Sequence, residues 1–170
     1  MIGILGKILG SKRKHVVQLA TSDDLPNLAE IHRESFTRGW SDGEFQTLLS
    51  SDPYFCLVSR VPGNVSLQSI SGFVLVKKVL DEAEIISIAT SPKMRRNGLG
   101  RQLMDAAVRQ LVADRVKSLY LEVDRENGAA VHLYSRMGFK KVGTREGYYP
   151  GNPAQGDKPS AALVMKLELG

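Results

Sequence analysis

Arg95-Arg96-Asn97-Gly98-Leu99-Gly100-Arg101 follows the apolar run Glu84-Ile85-Ile86-Ser87-Ile88-Ala89-Thr90 and the breaker Ser91-Pro92, and it opens the stripe Leu99, Leu103, Ala106, Ala107, Leu111. The run before it reads as a strand that Pro92 ends, because proline cannot continue a ladder. The stripe after it repeats near 3.6 residues, so a helix is expected from 98 to about 113. A strand running through two glycines into a helix presents free N–H groups and the positive end of a macrodipole. Arg96 and Arg101 can add charge-assisted hydrogen bonds. The stretch is a phosphate cradle in composition, or else a plain Arg-rich loop before an ordinary helix. It is neither a Walker A loop nor Gly-x-Gly-x-x-Gly.

Outward from this stretch the chain alternates elements. Val16 to Leu19 is a short strand, and Thr21-Ser22-Asp23-Asp24 caps a helix carrying Leu25, Leu28, Ile31 and His32. Ser41 and Glu44 form a capping box before Phe45, Leu48 and Leu49. Tyr54–Val58 and Gly72–Val76 are strands around the turn signal Pro62-Gly63-Asn64, and Asp81-Glu82 marks the next turn. Ser118 to Val123 is a strand, Ala130, Leu133, Tyr134 and Met137 share a helix face that Gly138 stops, and strands follow near 139–146 and 161–168. The order β, α, α, β, β, β, α, β, α, β, β implies an α/β fold with a mixed sheet, helices on both faces and a ligand site where neighbouring strands diverge.

Composition excludes several classes. The 170 residues suit a single domain with its own core, and the one cysteine, Cys56, rules out a disulfide framework and Cys-based zinc patterns. His15, His32 and His132 have no metal-ligand spacing, so no metal is expected. Of the net charge of +5, four units, Lys7, Lys12, Arg13 and Lys14, fall in residues 1–14. The domain, 15–170, is therefore nearly neutral, which argues against a nucleic-acid partner. Residues 1–14 read as a basic flexible extension with no signal-peptide pattern, no segment is long and apolar enough to span a bilayer, no stable membrane association is expected, and the expected address is cytoplasmic.

Taken in order, Leu80-Asp81-Glu82-Ala83, Ile88-Ala89, Arg96-Asn97-Gly98-Leu99-Gly100-Arg101, Leu121-Glu122-Val123, Asn127, Leu133-Tyr134, Gly138-Phe139 and Tyr148-Tyr149-Pro150 resemble the GNAT family of N-acetyltransferases. They are most similar to its ribosomal-protein-alanine branch, RimI, over nearly all of 15–169. The resemblance implies a mostly antiparallel sheet of six to seven strands with one splayed pair, and acetyl-CoA as co-substrate. It implies that the main chain of Ile88, Ala89 and Thr90 docks the pantetheine arm, that Arg96, Asn97, Gly98, Leu99, Gly100 and Arg101 hold the pyrophosphate, and that Asn127 lies near the thioester. Glu122 falls at the general base of that branch and Tyr134 at its general acid. The implied substrate is a protein or peptide N-terminus, a small-subunit ribosomal protein among the candidates, whose amine attacks the thioester directly with no acyl-enzyme. The departures are the basic extension, a longer loop near 61–70, and Asp124-Arg125-Glu126 beside the proposed base.

A chemical argument for these roles stands beside the resemblance. An amine attacking a thioester must be neutral and then lose a proton, and the departing thiolate gains from a donor. Glu122 lies in an apolar strand where partial desolvation would make it a better base, and alternation puts it on the face of Tyr120; it could equally be an ordinary polar residue on the less buried face. Tyr134 could be a packed core tyrosine. Trp40, Tyr148 and Tyr149 fall in expected loops, where they either wall a substrate slot or flank the core. A small-molecule amine acetyltransferase and a non-catalytic acyl-CoA sensor remain the alternatives.

Overall fold

The chain is described here from a computed structural model covering residues 15–61, 70–149, 151 and 158–170. The extension over 1–14, the turn at Pro62-Gly63-Asn64 and Pro150 lie outside the described residues. Eleven principal elements follow one another as expected: β1 (Val16–Leu19), α1 (Leu25–Ser35), α2 (Asp42–Leu49), β2 (Tyr54–Arg60), β3 (Ile70–Val79), β4 (Glu82–Thr90), α3 (Leu99–Ala113), β5 (Ser118–Asp124), α4 (Gly128–Arg136), β6 (Lys140–Tyr149) and β7 (Ser160–Glu168). The strands form one seven-stranded sheet in the order β1-β2-β3-β4-β5-β7-β6. Every neighbouring pair is antiparallel except β4 with β5. The mixed, mostly antiparallel sheet is thus present.

Local chemistry starts the helices. Ser41 Oγ accepts from Glu44 N at 3.2 Å and Glu44 Oε2 accepts from Ser41 N at 2.8 Å, so two donors at the start of α2 are satisfied reciprocally. Ahead of α1, Asp24 Oδ2 accepts from Thr21 N at 2.8 Å, and the same carboxylate takes Arg60 of β2 at 2.6 Å. Asp24 is only 1% exposed, so the cap that begins α1 also ties it to the sheet.

Hydrophobic burial sorts the helices onto opposite faces. On one side Leu103, Met104, Ala107 and Leu111 of α3 pack with Val74, Val76, Ile85, Leu119 and Leu121 of the sheet. On the other, Leu28 and Ile31 of α1 and Phe45 of α2 pack with Val58, Phe73 and Leu75. Truncating such a fully buried leucine to alanine typically costs about 2 to 5 kcal/mol, so each face is held by several strong contacts.

The sheet opens at its one parallel junction. β4 and β5 pair only from Glu82↔Ser118 to Ile85↔Leu121. Beyond that, β4 keeps its outer neighbour up to Gly72↔Thr90, and β5 keeps its own up to Asp124↔Ala162. The break coincides with a bulge, because Val76 faces Ile85 while Leu75 faces Ser87, leaving Ile86 as an extra residue. A bulge bends its strand and raises its twist, which parts β4 from β5. Gly72 lets β3 follow, since a Cβ there would lie 2.8 Å from Ala89 O.

One expectation is corrected. Tyr148 and Tyr149 close β6 and do not lie in a loop. The β6–β7 register shifts between Arg145 and Tyr149, so the strand resumes pairing at Tyr149↔Ser160 where the sequence reads as irregular.

Candidate active site at the opening between β4 and β5

On the β4 side, the main chain of Ile88, Ala89 and Thr90 pairs with β3 and has no β5 partner. It is an open edge inside the sheet, and its N–H and C=O groups are available to an extended ligand.

The chain then turns through Pro92–Met94 into the Arg-rich loop. Arg96 and Gly98 both take left-handed backbone angles, with φ of 62° and 76°. For arginine this costs on the order of 1 kcal/mol, so the loop is held against local preference. Asn97 Nδ2 closes it by donating to Met94 O at 3.2 Å. Nothing lies within 4 Å of a Cβ built on Gly98, so the loop faces open space. Gly98 precedes α3 directly, and the first helical bond there runs from Gln102 N to Gly98 O at 3.1 Å. The N–H groups of Leu99, Gly100 and Arg101 therefore have no carbonyl of their own helix. Leu99, at 2% exposure, anchors this helix start in the core. These features suit a bound diphosphate. Arg101 is otherwise engaged, with Nε donating to Asp105 at 3.0 and 3.1 Å, while Arg96 is exposed.

On the β5 side, Glu122 is the first residue past the end of the parallel ladder. Its side chain is 22% exposed, and Arg145 Nη1 donates to Oε1 at 2.8 Å. The expected apolar surroundings are thus replaced by an ion pair, which in turn holds Arg145 even more firmly charged. The Arg145 guanidinium also lies 4.3 Å from the Tyr148 ring centroid. Glu122 also lines a cleft of about 390 Å³ with Lys77, Val79, Glu82, Glu84 and Tyr120, which lies over the paired ends of β4 and β5 and is not lined by Ile88, Ala89 or Thr90. Sequence reasoning missed Arg145, because it lies two strands away across β7 and only the β6–β7 register reveals its reach.

Tyr134 sits on α4 at 6% exposure, its ring 5.8 Å from that of Phe139. Burial, with a smaller effect from Tyr149, pushes its phenol up to about 12, so at neutral pH it is a proton donor and not a base. Tyr149, also pushed up by burial, lies within electrostatic reach of Glu122 and of Tyr134, so the end of β6 borders both. Asn127 caps α4 through Oδ1, which accepts from Ala130 N at 3.2 Å, leaving its NH₂ as the group that can face a ligand.

Trp40 packs against the core cluster that also holds Ala89 of β4. Its ring stacks on His32 at 4.5 Å and meets Phe45 edge-on at 5.4 Å, and its N donates to His32 Nδ1 at 3.1 Å. It packs at the α1–α2 elbow, and among the described residues no ring contact joins it to Tyr148 or Tyr149. Cys56, 2% exposed, has its thiol pushed up by burial and is inert packing.

A sheet that parts beside a helix start with free N–H groups, with a carboxylate on one flank and a protonated phenol on the other, suits the class of acyl-transferring enzymes that draw on a phosphorylated thioester carrier. The chain belongs to the acetyltransferase (GNAT) family, whose sequence profile matches residues 25–139. It is 32% identical over 146 residues to the [ribosomal protein bS18]-alanine N-acetyltransferase of Escherichia coli, covering 86% of this chain and 92% of that one. To the Salmonella typhimurium enzyme of the same name it is 28% identical over 155 residues, covering 91% and 99%. The crystal structure of the ribosomal-protein-S18-alanine N-acetyltransferase from Escherichia coli superposes with a TM-score of 0.81 at 28% identity, covering 92% and 95%. The protein is accordingly an N-acetyltransferase that uses acetyl-CoA, as its sequence implies.

Proposed function

We propose that this enzyme acetylates the N-terminal α-amine of a protein, with the N-terminal alanine of ribosomal protein bS18 as the substrate suggested by its relatives. The observation that carries this reading is Glu122, a carboxylate at the point where β4 and β5 part. Acetyl-CoA supplies the acetyl group as a thioester. Ile88, Ala89 and Thr90 offer their main chain to its extended arm, the loop from Arg96 to Arg101 receives its diphosphate, and Asn127 lies near the reacting end. Glu122 accepts a proton from the amine, and Tyr134 holds one for the leaving group. Tyr148 and Tyr149, beside these two, border the substrate. A cytoplasmic address fits a ribosomal substrate, and among the described residues no helix is long and apolar enough to cross a membrane.

Proton arithmetic favours an α-amine. Its ordinary pKa of about 7.7 to 8.0 leaves roughly a tenth neutral at pH 7, against well under a thousandth of a lysine near 10.4. The difference is about 3.5 kcal/mol that a single carboxylate need not supply. Peptides that begin with a free alanine are expected to be acetylated at the α-amine, read by mass spectrometry, and blocking that amine should abolish turnover despite internal lysines. Equal turnover of blocked, lysine-containing peptides, or much faster turnover of a free polyamine, would overturn the reading. Binding of acetyl-CoA with no turnover of any amine would make the chain a sensor.

A further inference from the structure

We propose that Arg145 is a positioning residue for Glu122, holding one carboxylate oxygen so that the other stays turned toward the incoming amine. The proposal rests on the reading of Glu122 as the proton acceptor. The contact is single: Nη1 donates to Oε1 at 2.8 Å, and no described residue hydrogen-bonds to Oε2. Arg145 comes from β6, and its side chain must cross β7, whose Val164 stands opposite both Glu122 and Gly143. An arginine spanning a whole strand loses much rotamer freedom, so something must hold its far end.

Tyr148 does so, with its ring centroid 4.3 Å from the guanidinium carbon. Residues three apart in a regular strand point to opposite faces. Here the register shifts between Arg145 and Tyr149, and Gly147 takes a φ of 63°, so Tyr148 is turned back onto the face of Arg145. Irregularities of this kind re-aim side chains beside active sites. The Arg145 side chain is 55% exposed, against 22% for Glu122, so the pair adds little to stability and its removal should leave the fold intact. A carboxylate released from it can rotate away from the amine, and the loss falls on the chemical step.

The test compares Arg145→Ala, Arg145→Lys, Glu122→Gln and the Arg145→Ala/Glu122→Gln double variant on an alanine-initiated peptide. Arg145→Ala should lower kcat at least tenfold while peptide KM stays within about threefold and acetyl-CoA affinity, by calorimetry, within about twofold. Arg145→Lys should recover part of kcat, because an ammonium can still hold one oxygen. Adding Arg145→Ala to Glu122→Gln should cost nothing further, since the arginine acts through that carboxylate. Independently of activity, the Arg145 guanidinium NMR signal should shift when Glu122 becomes Gln. A wild-type kcat in Arg145→Ala, additive losses in the double variant, or an unmoved guanidinium signal would each overturn the inference. If Glu122→Gln keeps full activity, the fault lies in the reading of Glu122; if it is impaired while Arg145→Ala is not, only the role of Arg145 fails.

Discussion

At the residue scale, the two groups proposed to handle protons sit in different surroundings. Tyr134 is kept protonated by burial, which pushes its phenol up to about 12, whereas Glu122 is met by a guanidinium. Tyr134→Phe should therefore lower kcat by about 10² to 10⁴ fold with acetyl-CoA affinity nearly intact. Because the phenol titrates so high, its ionisation should contribute no fall in wild-type kcat below about pH 11, and stopped-flow rates across pH would show the same profile shape in the variant at a lower height. A Tyr134→Phe rate within about threefold of wild type would make it a packing residue. The placement of both residues was legible in the sequence, Glu122 from alternation along an apolar strand and Tyr134 from its helix stripe, while their proposed roles come from the family motifs. Arg145 was not, because nothing local says which strand it crosses. Trp40 falls in a loop as expected, but a loop position does not reveal that its ring turns inward onto His32.

At the scale of elements, the caps and stripes written into the chain suffice to order the seven strands and four α-helices of the described residues. What they do not show is where pairing stops. The end of the β4–β5 ladder at Ile85↔Leu121 coincides with the extra residue Ile86, where the apolar alternation Ala83, Ile85 shifts phase to Ile86, Ile88, a shift that by itself does not say that pairing ends. The loop before α3 is the reverse case, since Gly98 was legible and its left-handed φ of 76° explains it. A Cβ there meets nothing within 4 Å, so Gly98→Ala should fold and lose only on the order of 1 kcal/mol of stability through backbone strain. Gly98→Asp adds a negative charge at the proposed anion site, and calorimetry should show acetyl-CoA affinity reduced at least tenfold, about 1.4 kcal/mol. Unchanged affinity in folded Gly98→Asp would remove the diphosphate from this loop.

For the molecule as a whole, two cores back onto one sheet, and the core under α1 and α2 contains a titratable ring. His32 is 4% exposed and its pKa is pushed down to about 4 by burial, with a smaller opposing effect from Glu44. An unfolded histidine takes up its proton near 6.5, so between about pH 6.5 and 4 the unfolded state binds more protons and stability falls as pH falls. Above that window the contribution is fully present. Urea unfolding at pH 7 and 4.5 should show a loss on the order of 2 kcal/mol that His32→Gln, which keeps an acceptor for Trp40 N, largely removes. Equal pH slopes for variant and wild type would rule His32 out as the cause. The unpaired stretch of β4 carries a different consequence. Exposed strand edges invite neighbouring molecules to add strands and aggregate. The outer edges here are protected, β1 by being only four residues long and β6 by Lys140, Lys141, Arg145 and Glu146 together with its register breaks. The inner edge is recessed between two diverging strands, so it stays reactive toward a slender unbranched arm while remaining closed to the strand of another molecule.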